Sequence, residues 1–228
     1  MKKIINYIMF VMLMAIPVSA NDIYVTQSGA SLTLDVLQDG QNNTIGNSTT
    51  ASTSTGASTN LNIDQVGNSN VITYQINGAS YTGVINLQGN SNNVDLNCDS
   101  TGNNSSRGTA NAVINFTGNS NDIDLDIGQT SSANTADVDI VGQSGSDSNV
   151  VAATIDGNSA ILTITVNGDT NNYLIDIDGN GDINGHTLIH SHTGGIADVD
   201  ITQSGVNDQM ITLTTSGDNA DIDISQTD

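Results

Sequence analysis

The sequence predicts an all-β solenoid: one chain wound into about eight two-strand coils of 22 residues, with open sheet edges at both ends. Three observations predict it. Glycine recurs in steps of eleven, at Gly29 and Gly40, at Gly67, Gly78 and Gly89, and at Gly157, Gly168 and Gly179. Between these glycines apolar and polar residues alternate, which is the period of a half-buried strand. Glu is absent and the only proline is Pro17, while Gly, Asn, Asp, Ser and Thr accompany Val and Ile. That composition favours short strands and turns over helices. No repeat of this size can bury its apolar face alone, so neighbours must stack.

Residues 1–20 read as a Sec-type signal peptide. Lys2 and Lys3 precede an apolar run over 4–16, and Val18-Ser19-Ala20 is a small-residue cleavage site. The run is short for a membrane span. The expected mature chain, 21–228, is exported through the periplasm and is extracellular or attached to the cell surface, without spanning a membrane. Its charge is −24 + 1 = −23, because all 24 acidic residues are Asp and Arg107 is the only base left. That sign excludes nucleic acid and anionic membranes as partners and favours cations or a cation-bearing surface.

Strands are expected at 23–27, 32–38, 43–45, 61–65, 70–76, 81–87, 92–98, 112–116 and 121–127, and then at 136–140, 149–155, 160–166, 171–177, 197–203, 209–215 and 220–226. Alternation assigns their faces. Asn121, Ile123, Leu125 and Ile127 point inward, and Asp122, Asp124 and Asp126 outward. A slip of one residue would bury the Asp row, so register is strongly specified. Cys98 shares the inward parity of Val94 and Leu96, as a small buried residue would. The units from Gly145 to Gly157 and from Gly205 to Gly217 are 12 long, which predicts a bulge in each. Polar stretches near 46–60, 99–111, 128–135 and 185–196 are expected as loops leaving one coil corner of a single domain, because the eleven-step resumes after each.

Gln27-x-Gly29 is followed by Gln38-x-Gly40 and Asn43-x-Ile45, and Gln65-x-Gly67-x-x-Asn70-x-Ile72 is the fullest unit. Together with Gln203-x-Gly205, this resembles the curlin repeat of bacterial curli fibres, whose units read Ser-x5-Gln-x-Gly-x2-Asn-x-Ala-x3-Gln. The strict motif covers about a third of the chain. The resemblance implies a fibre or accessory subunit that joins homologous subunits end to end, with roles in adhesion and biofilm matrix. Gln27, Gln38, Gln65, Gln203 and Gln226 would be the stacking ladder, with Asn43, Asn70, Asn92, Asn121 and Asn171 beside them. The units at 23–27 and 220–226 would be the joining edges.

Other motifs point elsewhere. Asp176-x-Asp178-x-Asn180-Gly181-Asp182-Ile183-Asn184 follows the start of a calcium loop, but Thr187 stands where its last acidic ligand belongs. Asp176, Asp178, Asn180, Asp182 and Asn184 are the candidate calcium ligands. The fibre reading itself requires no cofactor. Asp-x-Asp pairs at 137/139, 176/178, 198/200 and 221/223, stacked at ~5 Å, would repel by about 1 kcal/mol even in water, so their rows are staggered or screened by cations. His186, His190 and His192 are expected as polar residues of one loop. No carboxylate set converges on a base or an anion-stabilising group, so the expected function is structural rather than enzymatic. The second expectation is a monomeric, calcium-loaded solenoid adhesin module that binds a surface glycan.

Overall fold

A computed structural model describes residues 21–227, apart from 41, 47–48, 68, 90, 99–108, 119, 129–134, 144, 146–147, 158, 179–184 and 206–208. The expected signal peptide, Arg107, and Asn180, Asp182 and Asn184 lie outside the described residues. The described chain is a β-solenoid with no helix, in which every paired strand is parallel. Its strands are numbered β1 to β17 along the chain.

Two faces alternate. The first stacks β1 (Asp22–Ile23) and β2 (Thr26–Ser28) under β4 (Thr44–Ile45) and the start of β5 (Ser52–Val66). Above them come the start of β6 (Val71–Gln88), β7 (Asn93–Cys98), β9 (Asp122–Ile127), β11 (Asn149–Asp156), β13 (Asn171–Asp178), β15 (Ile196–Ser204) and β17 (Asn219–Thr227). The second face stacks β3 (Ser31–Asp39), the ends of β5 and β6, β8 (Thr109–Thr117), β10 (Thr135–Gly142), β12 (Ala160–Asn167), β14 (Thr187–Thr193) and β16 (Met210–Ser216).

Above the fragmentary first level there are about seven turns, with a period of about 26 residues rather than 22. A coil without insertion keeps the short step, as from Val71 to Asn93, 93 − 71 = 22. One with a long corner takes 123 − 94 = 29, from Val94 to Ile123. Register survives because the additional residues fall between strands, where no ladder bond is lost. Neither expected bulge is found among the described residues, since the ladders through Asn149–Asp156 and Met210–Ser216 are unbroken.

Two expected loops are partly strand. The Ser/Thr-rich stretch becomes β5 from Ser52 onward, with Ser52 and Ser54 buried in columns that continue as Tyr74 and Ile76. Their hydroxyls are satisfied: Val25 N–H donates to Ser52 Oγ at 3.0 Å, and Ser54 and Thr59 hydroxyls lie 2.9 Å apart. The 185–196 stretch contains β14, with Leu188, His190 and His192 pointing inward. Residues 99–108 and 129–134 of the other two expected loops lie outside the described residues, and strand begins again at Thr109 and Thr135.

The core is a set of columns, with Ile63, Ile85, Ile114, Ile140 and Ile164 in register on the second face. The columns are shape-matched. Gly142 faces inward against the Phe116 ring, and a Cβ there would come 2.6 Å from Phe116 Cζ. The eleven-step glycines answer a different need. At one corner Gly40, Gly67 and Gly89 stack so tightly that a Cβ on Gly67 would overlap the carbonyl oxygen of Gly40. Both partners are backbone, so a whole coil must move. Gly67→Ala should therefore lower stability by about 1–3 kcal/mol. Gly195→Ala, whose Cβ would meet only ordinary contacts to Asp169, should stay within about 0.5 kcal/mol. Urea unfolding of the two variants checks this.

Candidate functional site

The interior amides form one long ladder and two short ones. Buried Asn70 donates from Nδ2 to Asn92 Oδ1 at 2.8 Å, Asn92 to Asn121 at 2.6 Å, Asn121 to Asn149 at 2.7 Å, and Asn149 to Asn171 at 2.7 Å. Each asparagine sits at the start of a first-face strand, just before it at 70, 92 and 121 and as its first residue at 149 and 171. The side chain satisfies a neighbour in the coil above and, for Asn121 and Asn171, the carbonyls of Gly118 and Gly168 in its own corner. Asn149 was missed among the expected ladder residues because it lies in a 12-residue unit, four residues after Gly145 where the others stand three after their glycine. Its spacing of 22 from Asn171 is the signal that could have found it. Asn43 occupies the same column, but it bonds to the carbonyls of Gln38 and Val66 and not to Asn70.

The glutamines are placed differently from expectation. They occupy two columns, on opposite faces and at opposite ends. Gln65 Nε2 donates to Gln38 Oε1 at 2.6 Å in the second-face column near the N-terminal end. Gln226 Nε2 donates to Gln203 Oε1 at 3.2 Å in the first-face column at the C-terminal end. Between these pairs the columns are filled mainly by apolar residues: Leu87, Phe116, Gly142 and Val166 follow Gln65, and Ile76, Cys98, Ile127, Ile155 and Ile177 precede Gln203. Gln27 is not a ladder residue within the chain. It lies opposite Ser54 and donates to Ser31 O at 3.3 Å.

Two of the three histidines are not loop residues: His190 and His192 lie in β14, while His186 stands just before it, and all three are buried in the upper coils. His186 Nδ1 accepts from Ala160 N–H at 3.0 Å. His192 Nδ1 lies 3.0 Å from Tyr173 Oη and 3.3 Å from Asn171 Nδ2, which ends the asparagine ladder. His190 packs edge-on against Tyr173, with ring centroids 4.3 Å apart, and neither of its nitrogens has a hydrogen-bond partner among the described residues. Burial holds all three below the usual imidazole range, and His190 is pushed down to about 4, with the nearby His192 adding to the effect. Burial likewise raises Tyr173 well above the ordinary phenol range. The signal was available in the parity of Leu188-x-His190-x-His192.

Outward carboxylates are mostly interleaved with amides and hydroxyls. Asn86 donates to Asp64 at 2.6 Å, Asn62 to Asp35 at 3.1 Å, and Ser204 to Asp178 at 2.8 Å. Stacked carboxylates remain, as in Asp95 under Asp124, Asp198 under Asp221 and Asp200 under Asp223. Partial burial, and then the charge of Asp126, raises Asp95 and Asp124 above the ordinary carboxylate range. Asp176 is raised by burial and by Asp178. Asp176 and Asp178 share the outer face of β13, which puts two of the five candidate calcium ligands on one surface. Among the described residues no three His, Cys or Asp side chains converge as a metal site. On the outside of the second face, a groove of about 490 Å³ runs past Asp64, Asn86, Asn115, Gln88, Leu37 and Val66.

Both ends of the stack are open. Ile222 and Ile224 are 38% and 49% exposed, whereas Val199 and Ile201, directly below them, are 0% and 2% exposed. At the other end Ile23, Val25, Leu32 and Leu34 are only partly covered. No helix among the described residues is long and apolar enough to cross a membrane. No family model, curated protein or solved structure matches the chain.

Proposed function

We propose that this chain is an exported structural subunit, curli-like in design, that assembles end to end by parallel strand stacking into an amyloid-type fibre serving cell adhesion and biofilm matrix. The observation that carries the reading is the pair of uncovered ends, each with apolar columns cut off in mid-stack and a row of unpaired backbone groups. An interior built on an asparagine ladder and in-register apolar columns is what a fibre continues from one copy to the next. The outward Asp residues act as gatekeepers against lateral sheet pairing. The role is structural, and the reading assigns no catalytic residue.

Negative-stain microscopy of residues 21–228 after incubation in chelator tests this. Unbranched fibres are the expected result. Monomers that fold only when calcium is restored would overturn it in favour of the second reading, a calcium-loaded adhesin module that binds a surface glycan. The groove beside Asp64 and Asn86 is the observation that favours this alternative, since amides and one carboxylate next to exposed Leu37 suit a sugar's hydroxyls and apolar face.

A further inference from the structure

We infer that successive copies of this chain join with a half-turn about the fibre axis, so that β3 of one copy seats on β17 of the last and the segment 22–28 seats on β16. This rests on the end-to-end assembly proposed above. The described chain begins and ends on the first face, so that face carries one level more than the second. After β17 the winding calls for a second-face strand above β16. A copy added without rotation would bring its own first-face segment above β17 and leave that second-face level empty. A copy rotated by a half-turn puts segment 22–28 there and then β3 above β17, and the winding continues without a gap.

The residues at the two ends agree with the rotated joint. β17 and β3 are both nine residues long, and β16 and the segment 22–28 both span seven. In the rotated register Ala220, Ile222 and Ile224 meet Leu32, Leu34 and Val36, and Gln226 meets Gln38. On the other side Ile211 and Leu213 meet Ile23 and Val25, Thr215 meets Gln27, and Gln209 meets Asn21. Every inward pair is apolar on apolar or polar on polar. Without rotation, Gln209 would face Leu32 and Asn21 would face Ala220.

Two further observations fit. The buried side-chain amide of Gln209 has no partner among the described residues, and the rotated joint brings it Asn21. The two glutamine pairs also share one polarity: in each, the upper Nε2 donates to the lower Oε1. Gln38 Nε2 donates within its own copy to Asn21 O at 2.8 Å and to Thr44 O at 3.3 Å, and turning the longer of these to Gln226 Oε1 would unite the two pairs into a four-residue ladder running through the joint. Asp35 over Asp223 is the one like-charge pair the joint creates, so assembly should quicken as ionic strength rises.

Disulfide trapping in the full mature chain decides it. Ser225 faces outward on β17, opposite Leu37 of the next copy if the joint is rotated and opposite Thr26 if it is not. Directly opposed residues on neighbouring strands lie ~4.8 Å apart, within disulfide reach. Cys98 is buried and stays in place. After assembly and oxidation, the Leu37→Cys/Ser225→Cys chain should run as a covalent ladder on a non-reducing gel, and the Thr26→Cys/Ser225→Cys chain as monomer. A ladder from the second chain alone would overturn the half-turn while leaving self-assembly standing. Fibres with no ladder from either chain would overturn the joint. If neither variant nor the unsubstituted chain forms fibres, the inference and the assembly reading fall together.

Discussion

Acidification from pH 7 to pH 4 should destabilise the upper coils, and His190→Leu should remove much of that loss. His190 is buried without a hydrogen-bond partner among the described residues, and burial lowers it from 6.5 to about 4. The unfolded chain therefore binds the proton first. The stability that neutral His190 contributes is fully present above pH 6.5 and is lost as pH falls through about 4. A shift of that size corresponds to about 3 kcal/mol at the acid end. His186 and His192 are shifted in the same direction, opposed in part by Asp178 and Asp169. Raised carboxylates act with the opposite sign. Asp95, Asp124 and Asp176 disfavour the fold when ionised, so protonating them near and somewhat above the usual carboxylate range offsets part of the loss. The histidine effect is therefore cleanest between pH 7 and 5. Leucine at 190 continues the apolar column between Ile164 and Leu213. Urea midpoints across that range should fall for the unsubstituted chain and stay flatter for the variant. Parallel slopes would show that His190 does not titrate on unfolding.

Truncating the centre of the asparagine ladder should be the most damaging single change to the lower coils. Asn121→Ala removes the acceptor of Asn92 Nδ2 and the donor to Asn149 Oδ1, and with them the bond to Gly118 O. Asn92 Nδ2 keeps only its longer bonds to Gly89 O and Thr117 O, Asn149 Oδ1 keeps Asn121 N–H, and the buried Asn92 N–H loses its acceptor. An orphaned buried polar group costs about 1–3 kcal/mol, so a loss of about 2–4 kcal/mol is expected. Asn172→Ala, one position into β13 and exposed, should change stability by less than about 0.5 kcal/mol. Equal losses at the two sites would show that the ladder carries no special weight. In fibres the same truncation should lower the resistance to denaturant, because each copy repeats the interrupted ladder.

Most of the fold was legible in the sequence because strand alternation and corner glycines are local signals. The parity of 121–127 places Ile123, Leu125 and Ile127 inward, and all three are buried. The Asn column was nearly readable for the same reason, since four of its bonded members stand at the start of strands with clear alternation. Errors arose where residue type was allowed to outweigh parity. Histidines at 190 and 192 and serines at 52 and 54 are polar, yet they occupy inward positions of strands whose neighbours above and below close the column. Gln27 carries the ladder motif, but the strand stacked on it supplies Ser54 instead of a glutamine.

The sequence by itself determined the strand content, the inward and outward sets, the corner glycines and the acidic exterior. Each of these depends on a residue and its near neighbours along the chain. Only the tertiary structure decided which coil stacks on which. Insertions stretch the step from 22 to 29 residues, so vertical neighbours cannot be found by counting a fixed period. That stacking put the glutamine pairs at opposite ends, buried His190 and His192 beside Tyr173, and left the described chain beginning and ending on the same face.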